Sequence, residues 1–389
     1  MLLLDASHTS HTRAQTGIQR VVRSLHTALE AEGKAVAVCF DPHLGAWRSL
    51  DRREAELLRP GGEAARSRGA KWTLAQKLSG HARRLAGKKA ALPPADGLVC
   101  PELFSPKVNA RLPELFSRVR GPRVALFHDA IGLKYPEHTP SGTVARLPGY
   151  LRELLQFDGI AAVSEDSAAS LRDFWRWLGV PSTPPVQAIP LGLEECHVIR
   201  DTSPGRDRPR VLCVATIEGR KNHPALLAAC EALWREGLRF ELELIGMARA
   251  DTAQAALDEI ERLQSAGRPL VHHGAVRDDA LREAYARCTF TVYPSLCEGF
   301  GLPVLESLQH GKPCICSGRG ALGESARGGG CLMLETADAD NLAAALRRLV
   351  QNPAEVATLA TAARARTFRT WRDYATGLAD WMQTLPRRG

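Results

Sequence analysis

Two glutamates, Glu298 and Glu306, stand eight positions apart around Gly299-Phe300-Gly301-Leu302-Pro303. An ionised carboxylate only accepts hydrogen bonds and has two oxygens, so Glu306 suits a vicinal diol such as a ribose. Glu298, just before the glycines, suits direct contact with a bound group. Pro303 fits the first turn of a helix and Gly311 its end. The loop would then aim free amides at a ligand from a helix N-terminus, where the partial charge is about +0.5. A diphosphate or an array of sugar hydroxyls matches that chemistry. A plainer reading of Glu306 is an acid favoured by the helix dipole.

Other polar clusters end apolar runs. Arg220 and Lys221 follow "RVLCVAT" (210–216) just before a helix expected from Asn222. Cations are unfavourable at a helix N-terminus, and a bound anion would offset that. After "LVHHG" (270–274), the backbone of Val276 is placed to read a nucleobase edge. His272 and His273 are neighbours on a strand and point opposite ways, which argues against a metal. Earlier in the chain, Thr16-Gly17 opens an amphipathic helix, His128 and Asp129 end "RVALFHD", and Ser164 caps the stretch after "GIAAV". Gly318 to Gly323 matches G-x-G-x-x-G but lacks the strand–helix context and downstream acid of a dinucleotide site.

These clusters need a scaffold of strands ending at one edge. The chain supplies ten short apolar runs, five before about residue 165 and five after 209, separated by helical patterns. Such alternation gives parallel sheets with crossover helices, whose ligands sit at the carboxyl ends of the strands. With 389 residues, the expected class is α/β: two doubly wound, Rossmann-like domains facing an inter-domain cleft. A proline-rich and then charged stretch places the linker near 191–209. The expected spans are 1–192 for the first domain and 193–366 for the second, which the resemblance given below implies are the acceptor side and the nucleotide-sugar side. A final helix, 367–389, packs back towards the first with Trp371, Tyr374, Leu378, Trp381 and Leu385 on one stripe.

Composition narrows the setting. No apolar run reaches the ~20 residues of a membrane span. Asp5 interrupts the opening leucines, so no signal peptide is expected. The ten cysteines include no Cys-x-x-Cys pair and mostly adjoin strand residues, which suggests buried reduced thiols and a cytoplasmic setting. Of the net charge of +8, residues 51–90 hold +7, from eleven Lys/Arg against four Asp/Glu. Within that stretch Leu74, Leu78, Ala82 and Leu85 share a helical stripe. Either this is a solvated basic helix, or residues 66–91 touch an anionic membrane surface, on its inner face. Nucleic-acid binding is not indicated, since no aromatic residues interleave the charge.

The segment "YPSLCEGFGLPVLESLQHGKPCICS", with its E-x7-E motif, resembles retaining glycosyltransferases of family GT4, which have the GT-B fold. The similarity extends to "VATIEGRKN", "HGAVRDDALREAYARC", "FHDAIGLKYPEH" and, more loosely, "TGIQRVV". The resemblance implies catalytic roles for Glu298, His128 and Lys221. It implies donor contacts from Gly17, Thr216, Arg220, Lys221, Val276, Phe300, Gly301, Leu302 and Glu306. Asp129 and Ser164 are candidates on the acceptor side. No metal and no cofactor are implied.

Many relatives have Gly-Arg where this chain has Ala215-Thr216, so one phosphate-binding cation is missing; Arg220 or Arg20 is the expected substitute. A smaller departure is Leu322-Gly323-Glu324 where many have Leu-Pro-Glu. The implied reaction moves a hexose, first of all mannose from GDP-mannose, onto a cell-surface glycan or polyprenyl-linked acceptor. Alternatives on the same fold are a nucleotide-sugar 2-epimerase and a non-catalytic nucleotide-sugar-binding partner.

Overall fold

The computed structural model describes residues 1–14, 17–60, 69–87, 92–196, 208–249 and 252–386. Thr16, linker residues 197–207 and residues 61–68 and 88–91 of the basic stretch lie outside them. The chain forms two units, one of 1–129, 146–194 and 369–389, the other of 130–145 and 195–368.

The first unit is built on β1 (Leu2–Asp5), β2 (Ala35–Asp41), β3 (Ala46–Ser49), β4 (Gly97–Cys100), β5 (Arg123–Phe127), β6 (Gly159–Ala162) and β7 (Val186–Ala188). Their order is β3-β2-β1-β4-β5-β6-β7, parallel except where β3 returns along β2. Central runs such as Gly97–Cys100 and Gly159–Ala162 are buried throughout, as strands covered on both faces must be. The crossover helix Gly17–Ala31 buries Val21, Val22, Leu25 and Leu29, spaced to line one face. The last helix, Trp371–Thr384, packs against it and buries Tyr374, Leu378 and Met382. Its terminal residues exploit two glycines: a Cβ on Gly97 would meet Met382, and one on Gly159 would meet Trp381 and Leu385.

Residues 41–58 gave no usable motif but are tightly organised. The β2–β3 turn uses Gly45 at φ +73°. Arg48 on β3 binds Asp41 and holds Glu54 through two bonds of 2.7 Å. Glu54 also meets His11 at 2.8 Å and Gln76 at 2.8 Å. Burial opposes ionisation of Glu54, but the Arg48 and His11 bonds outweigh it and bring its pKa to about 2. His11, Cys39 and Glu54 do converge, but Arg48 already occupies this carboxylate as an ion pair.

The second unit has six parallel strands: β8 (Arg210–Val214), β9 (Glu241–Ile245), β10 (Leu270–His272), β11 (Phe290–Tyr293), β12 (Cys314–Ser317) and β13 (Cys331–Leu334). Their order, β10-β9-β8-β11-β12-β13, is doubly wound, with the direction of progression reversing between β8 and β11. In the first unit the reversal falls between β1 and β4.

Strands β3, β7 and β13 add to the ten read from sequence. Each is an edge element of three or four residues, partly exposed or following prolines or glycines, so its pattern is weak. The ten cysteines are free and seven are buried, so the apolar cores rather than crosslinks hold the units together. In the glycine motif at 318–323, a Cβ on Gly323 would lie 2.1 Å from the Gly318 carbonyl oxygen; the glycine there serves tight turn packing.

Candidate active site

At the carboxyl end of β8 the chain makes a 3-10 turn, Gly219–Lys221, and enters the helix His223–Arg235. Asn222 makes the junction at φ +56°, where its side chain donates to the Ala337 carbonyl at 2.6 Å. At the end of neighbouring β11, the loop from Pro294 is clasped to this turn. The Leu296 amide and Ser295 hydroxyl both donate to the Arg220 carbonyl, at 2.9 and 3.2 Å. The two loops therefore form one surface at the reversal point, where open α/β sheets bind ligands.

Lys221 and Glu298 meet directly inside that surface. Glu298 Oε1 also accepts from Arg220 at 2.8 Å, Tyr293 at 3.0 Å and Ser295 at 2.5 Å. Lys221 in turn contacts the Tyr293 hydroxyl. Among the described residues, every bond to this carboxylate falls on Oε1. Glu298 thus faces its own cations, a more enclosed position than direct contact with a ligand requires. Burial opposes its ionisation, but Lys221 and Arg220 outweigh burial and hold its pKa at about 2. Burial, reinforced by Arg220, pulls the Lys221 pKa down against the attraction of Glu298. The same burial pushes the Tyr293 phenol up, so it donates as a neutral group.

Arg220, an expected substitute for the missing cation, has acidic partners of its own. It is shared between Glu218 at 2.7 Å, Glu298 and the Cys297 carbonyl at 3.3 Å, so its charge is largely engaged within the protein. Arg249, after β9, approaches Glu218 at 3.5 Å and was not anticipated. Arg220, Lys221 and Arg249 thus gather around Glu218 and Glu298. Thr216, at the β8 exit, is half-buried and contributes no charge.

Beyond Glu298 the loop turns through Gly301 at φ +102° into the helix Leu302–Gln309, with Pro303 in its first turn. A Cβ on Gly301 would press on Leu322 at 3.0 Å in a backbone conformation that side chains rarely adopt. The Phe300 carbonyl is fixed by Ser325 at 2.6 Å. The helix therefore starts where its amides extend the Lys221–Glu298 surface. One turn on, Glu306 accepts from Tyr285 at 3.5 Å. Tyr285 packs with Val276, Leu212 and Ile245, and stacks on His310 with ring centres 4.6 Å apart. Val276 and Glu306 thus both adjoin the cluster that holds this tyrosine.

Tyr285, Tyr293, Ser295 and Glu218 were missed in the sequence. The available signal was a polar aromatic or hydroxyl at the carboxyl end of an apolar run, as in Tyr293 and Ser295. Arg249 gave none, because the loop after β9 carries no recognisable spacing.

The remaining candidates belong to the first unit. His128 is buried and its Nε2 lies 2.8 Å from the Pro101 carbonyl. Burial lowers its pKa, so the ring is neutral at pH 7 and Nε2 is the donor. Asp129 follows it at the exit of β5. Ser164 is buried and accepts from the Ser167 amide at 3.1 Å, capping the helix Glu165–Trp177. Gly17 is the exposed first residue of its helix, with open space where a Cβ would stand. No helix among the described residues is long and apolar enough to cross a membrane.

Residues 208–352 match the family model described as "Glycosyl transferases group 1". The serotype-specific mannosyltransferase WbdA of Escherichia coli is 28% identical over 81% of this chain and 38% of its own length. This chain therefore spans little more than a third of that relative. The O-antigen chain mannosyltransferase B of Escherichia coli is 29% identical over 69% of this chain and 71% of its own. Among solved structures, sucrose-phosphate synthase from Thermosynechococcus elongatus aligns over 98% of both chains with a TM-score of 0.69 at 20% identity. HepE from Anabaena, in complex with UDP-glucose, aligns over 99% of both with a TM-score of 0.69 at 16% identity. By that match over residues 208–352, these relatives and the shared fold, the chain is similar to group 1 glycosyltransferases and has the GT-B architecture.

Proposed function

We propose that the chain transfers mannose from GDP-mannose, with retention of configuration, to a growing cell-surface glycan or its polyprenyl-linked precursor. The observation that carries this reading is the meeting of Lys221 with the Glu298 loop at the β8–β11 reversal. The mannosyltransferase names of the relatives support the choice of sugar.

Breaking a glycosyl–phosphate bond builds negative charge on the departing diphosphate. Lys221 and the amides opening the helix at Leu302 would stabilise it, an effect worth several kcal/mol in a preorganised site. Arg220 and Lys221 are in place beside the Glu298 loop before any ligand arrives, and no metal is required of them. Thr216 and the Phe300–Leu302 backbone would complete the diphosphate and sugar contacts. Glu306 would take the ribose diol and Val276 the base. Glu298 keeps Lys221 ionised and oriented rather than acting as a covalent nucleophile. Retention then follows from attack on the face the diphosphate leaves, with the diphosphate accepting the acceptor's proton.

The first unit is assigned to the acceptor through Asp129 and Ser164. His128, neutral, is suited to a sugar hydroxyl, and Gly17 to the phosphates. The anionic membrane contact expected of residues 66–91 is narrowed to one helix face below. The work is expected to occur on the cytoplasmic side.

The test is incubation with GDP-mannose, with and without a polyprenyl-linked mannosyl acceptor. Acceptor-dependent release of GDP with a lengthened glycan is expected. An epimerised sugar nucleotide from donor alone would replace this reading with an isomerase; binding without turnover would replace it with a donor-binding partner.

A further inference from the structure

The helix Leu74–Leu85 presents its apolar side outward. Leu74, Leu78 and Leu85 are 76%, 71% and 90% exposed. At 100° per residue these three lie within about 40° of one another, and Ala82 extends the stripe. The opposite side holds the helix to the protein. Gly80 is its one buried residue, with a hypothetical Cβ 2.8 Å from His43 and 3.1 Å from the Leu44 amide. Gln76 donates to Glu54 at 2.8 Å and to Asp51 at 3.0 Å, and forms a capping box with Thr73. A cavity of about 470 Å³, with Asp41, Arg48, Asp51, Gln76 and Arg83 among its lining residues, lies along this inner side. An amphipathic helix ordinarily buries its leucines and leaves polar groups in water; this one does the reverse.

The charges define what the outer face meets. The helix has no Asp or Glu, and carries Lys77, His81, Arg83 and Arg84, all exposed. Lys77 and Arg84 border one edge of the leucine stripe, and the nearby acids Asp41 and Glu54 are already held by Arg48. A leucine stripe edged by cations fits the boundary of an anionic bilayer, with side chains among the acyl chains and cations at the phosphates. At twelve residues the helix is about 18 Å long, too short for the ~30 Å hydrocarbon core, so it lies in the plane of the surface. A second copy of the chain is disfavoured as occupant, because two such faces would oppose cation to cation.

The geometry points to Leu74–Leu85 as an in-plane anchor on an anionic lipid surface. This stands on the first unit alone and is independent of the donor chemistry.

The experiment is co-sedimentation of the full chain with vesicles of phosphatidylglycerol and phosphatidylcholine, and of phosphatidylcholine alone. Binding to the anionic vesicles is expected, weakening as salt rises. L74S/L78S/L85S and K77Q/R84Q are each expected to bind about tenfold more weakly. These positions are exposed, so both variants should fold, which unchanged circular dichroism and unchanged heats of GDP-mannose binding would verify. Wild-type indifference to anionic vesicles, or full binding by the serine variant, overturns the proposal. So does a wild-type dimer that the serine variant dissolves, which would assign the face to a second copy. Loss of donor binding with vesicle binding intact would instead sink the transferase reading and leave this one standing.

Discussion

Each unit places enclosed acids at or after the carboxyl ends of its two reversal-point strands, and the two units treat them oppositely. In the first, Asp5 ends β1 and Glu102 follows β4; both are buried, and among the described residues neither has an ion-pair partner. Burial, then repulsion from Glu102, raises the Asp5 pKa to about 7 against the bonds from Ser7. Burial also raises that of Glu102, although it accepts the His8 and Thr9 amides at 2.7 Å. In the second unit Glu298 is enclosed as well, yet two cations hold it at about 2. Comparable positions therefore hold an acid pair whose ionisation burial opposes and which organises the turn after β1, and a fixed ionic cluster. Burial alone does not make a charged site; companion cations do, as Arg48 does for Glu54 and as Lys221 and Arg220 do for Glu298.

The sharpest way to break this contrast is to remove a cation. Lys221→Met is expected to cut transfer by at least a hundredfold, read as initial rates. It leaves Glu298 under-compensated, so unfolding should also lose roughly 3 kcal/mol by urea titration. Adding Glu298→Gln should recover stability but not rate. Recovery of rate would mean that the pair is only structural.

A second test exchanges the pH signatures. A carboxyl whose folded pKa is raised contributes stability below its unfolded value, near 3.8, and loses it as pH rises through about 7. Asp5→Asn should therefore stabilise the protein at pH 8 by roughly 4 kcal/mol more than at pH 4, by urea midpoints. Glu298 has the opposite sign. Its contribution is present above about 4.5 and disappears as pH falls towards 2. Glu298→Gln should flatten the acid limb that Asp5→Asn leaves intact. A smaller effect is expected of Ser164→Ala, about 1 kcal/mol of stability for a lost cap. If transfer falls more than that loss explains, Ser164 touches the acceptor. Chelation should leave the rate unchanged; a loss restored by a divalent metal would contradict the all-protein account of the leaving group.

Much of this was legible because parallel strands buried on both faces write continuous apolar runs, and loops at their ends carry the punctuation. The Glu298–Pro303 loop was readable since Gly301 needs a positive φ and Pro303 suits a first turn. Glu306 was readable from its spacing. The partner of Glu298 was not. Spacing cannot reveal that the chain seventy-seven residues earlier folds Lys221 onto its carboxylate, because that contact depends on β8 and β11 being neighbours. The same holds for Arg220, read as a phosphate cation but held by Glu218 and Glu298. The short edge strands β3, β7 and β13 escaped because three or four partly exposed residues give no periodicity to read.

The central claim is that a nucleotide diphosphate binds where Lys221 meets the Glu298 loop. Calorimetric titration with GDP-mannose, UDP-glucose, GDP and UDP tests it most directly, on wild type and Lys221→Met. A saturable heat for at least one guanine nucleotide, weakened at least tenfold by the substitution, is the predicted result. No heat from any of the four, or equal affinity in both proteins, would contradict it.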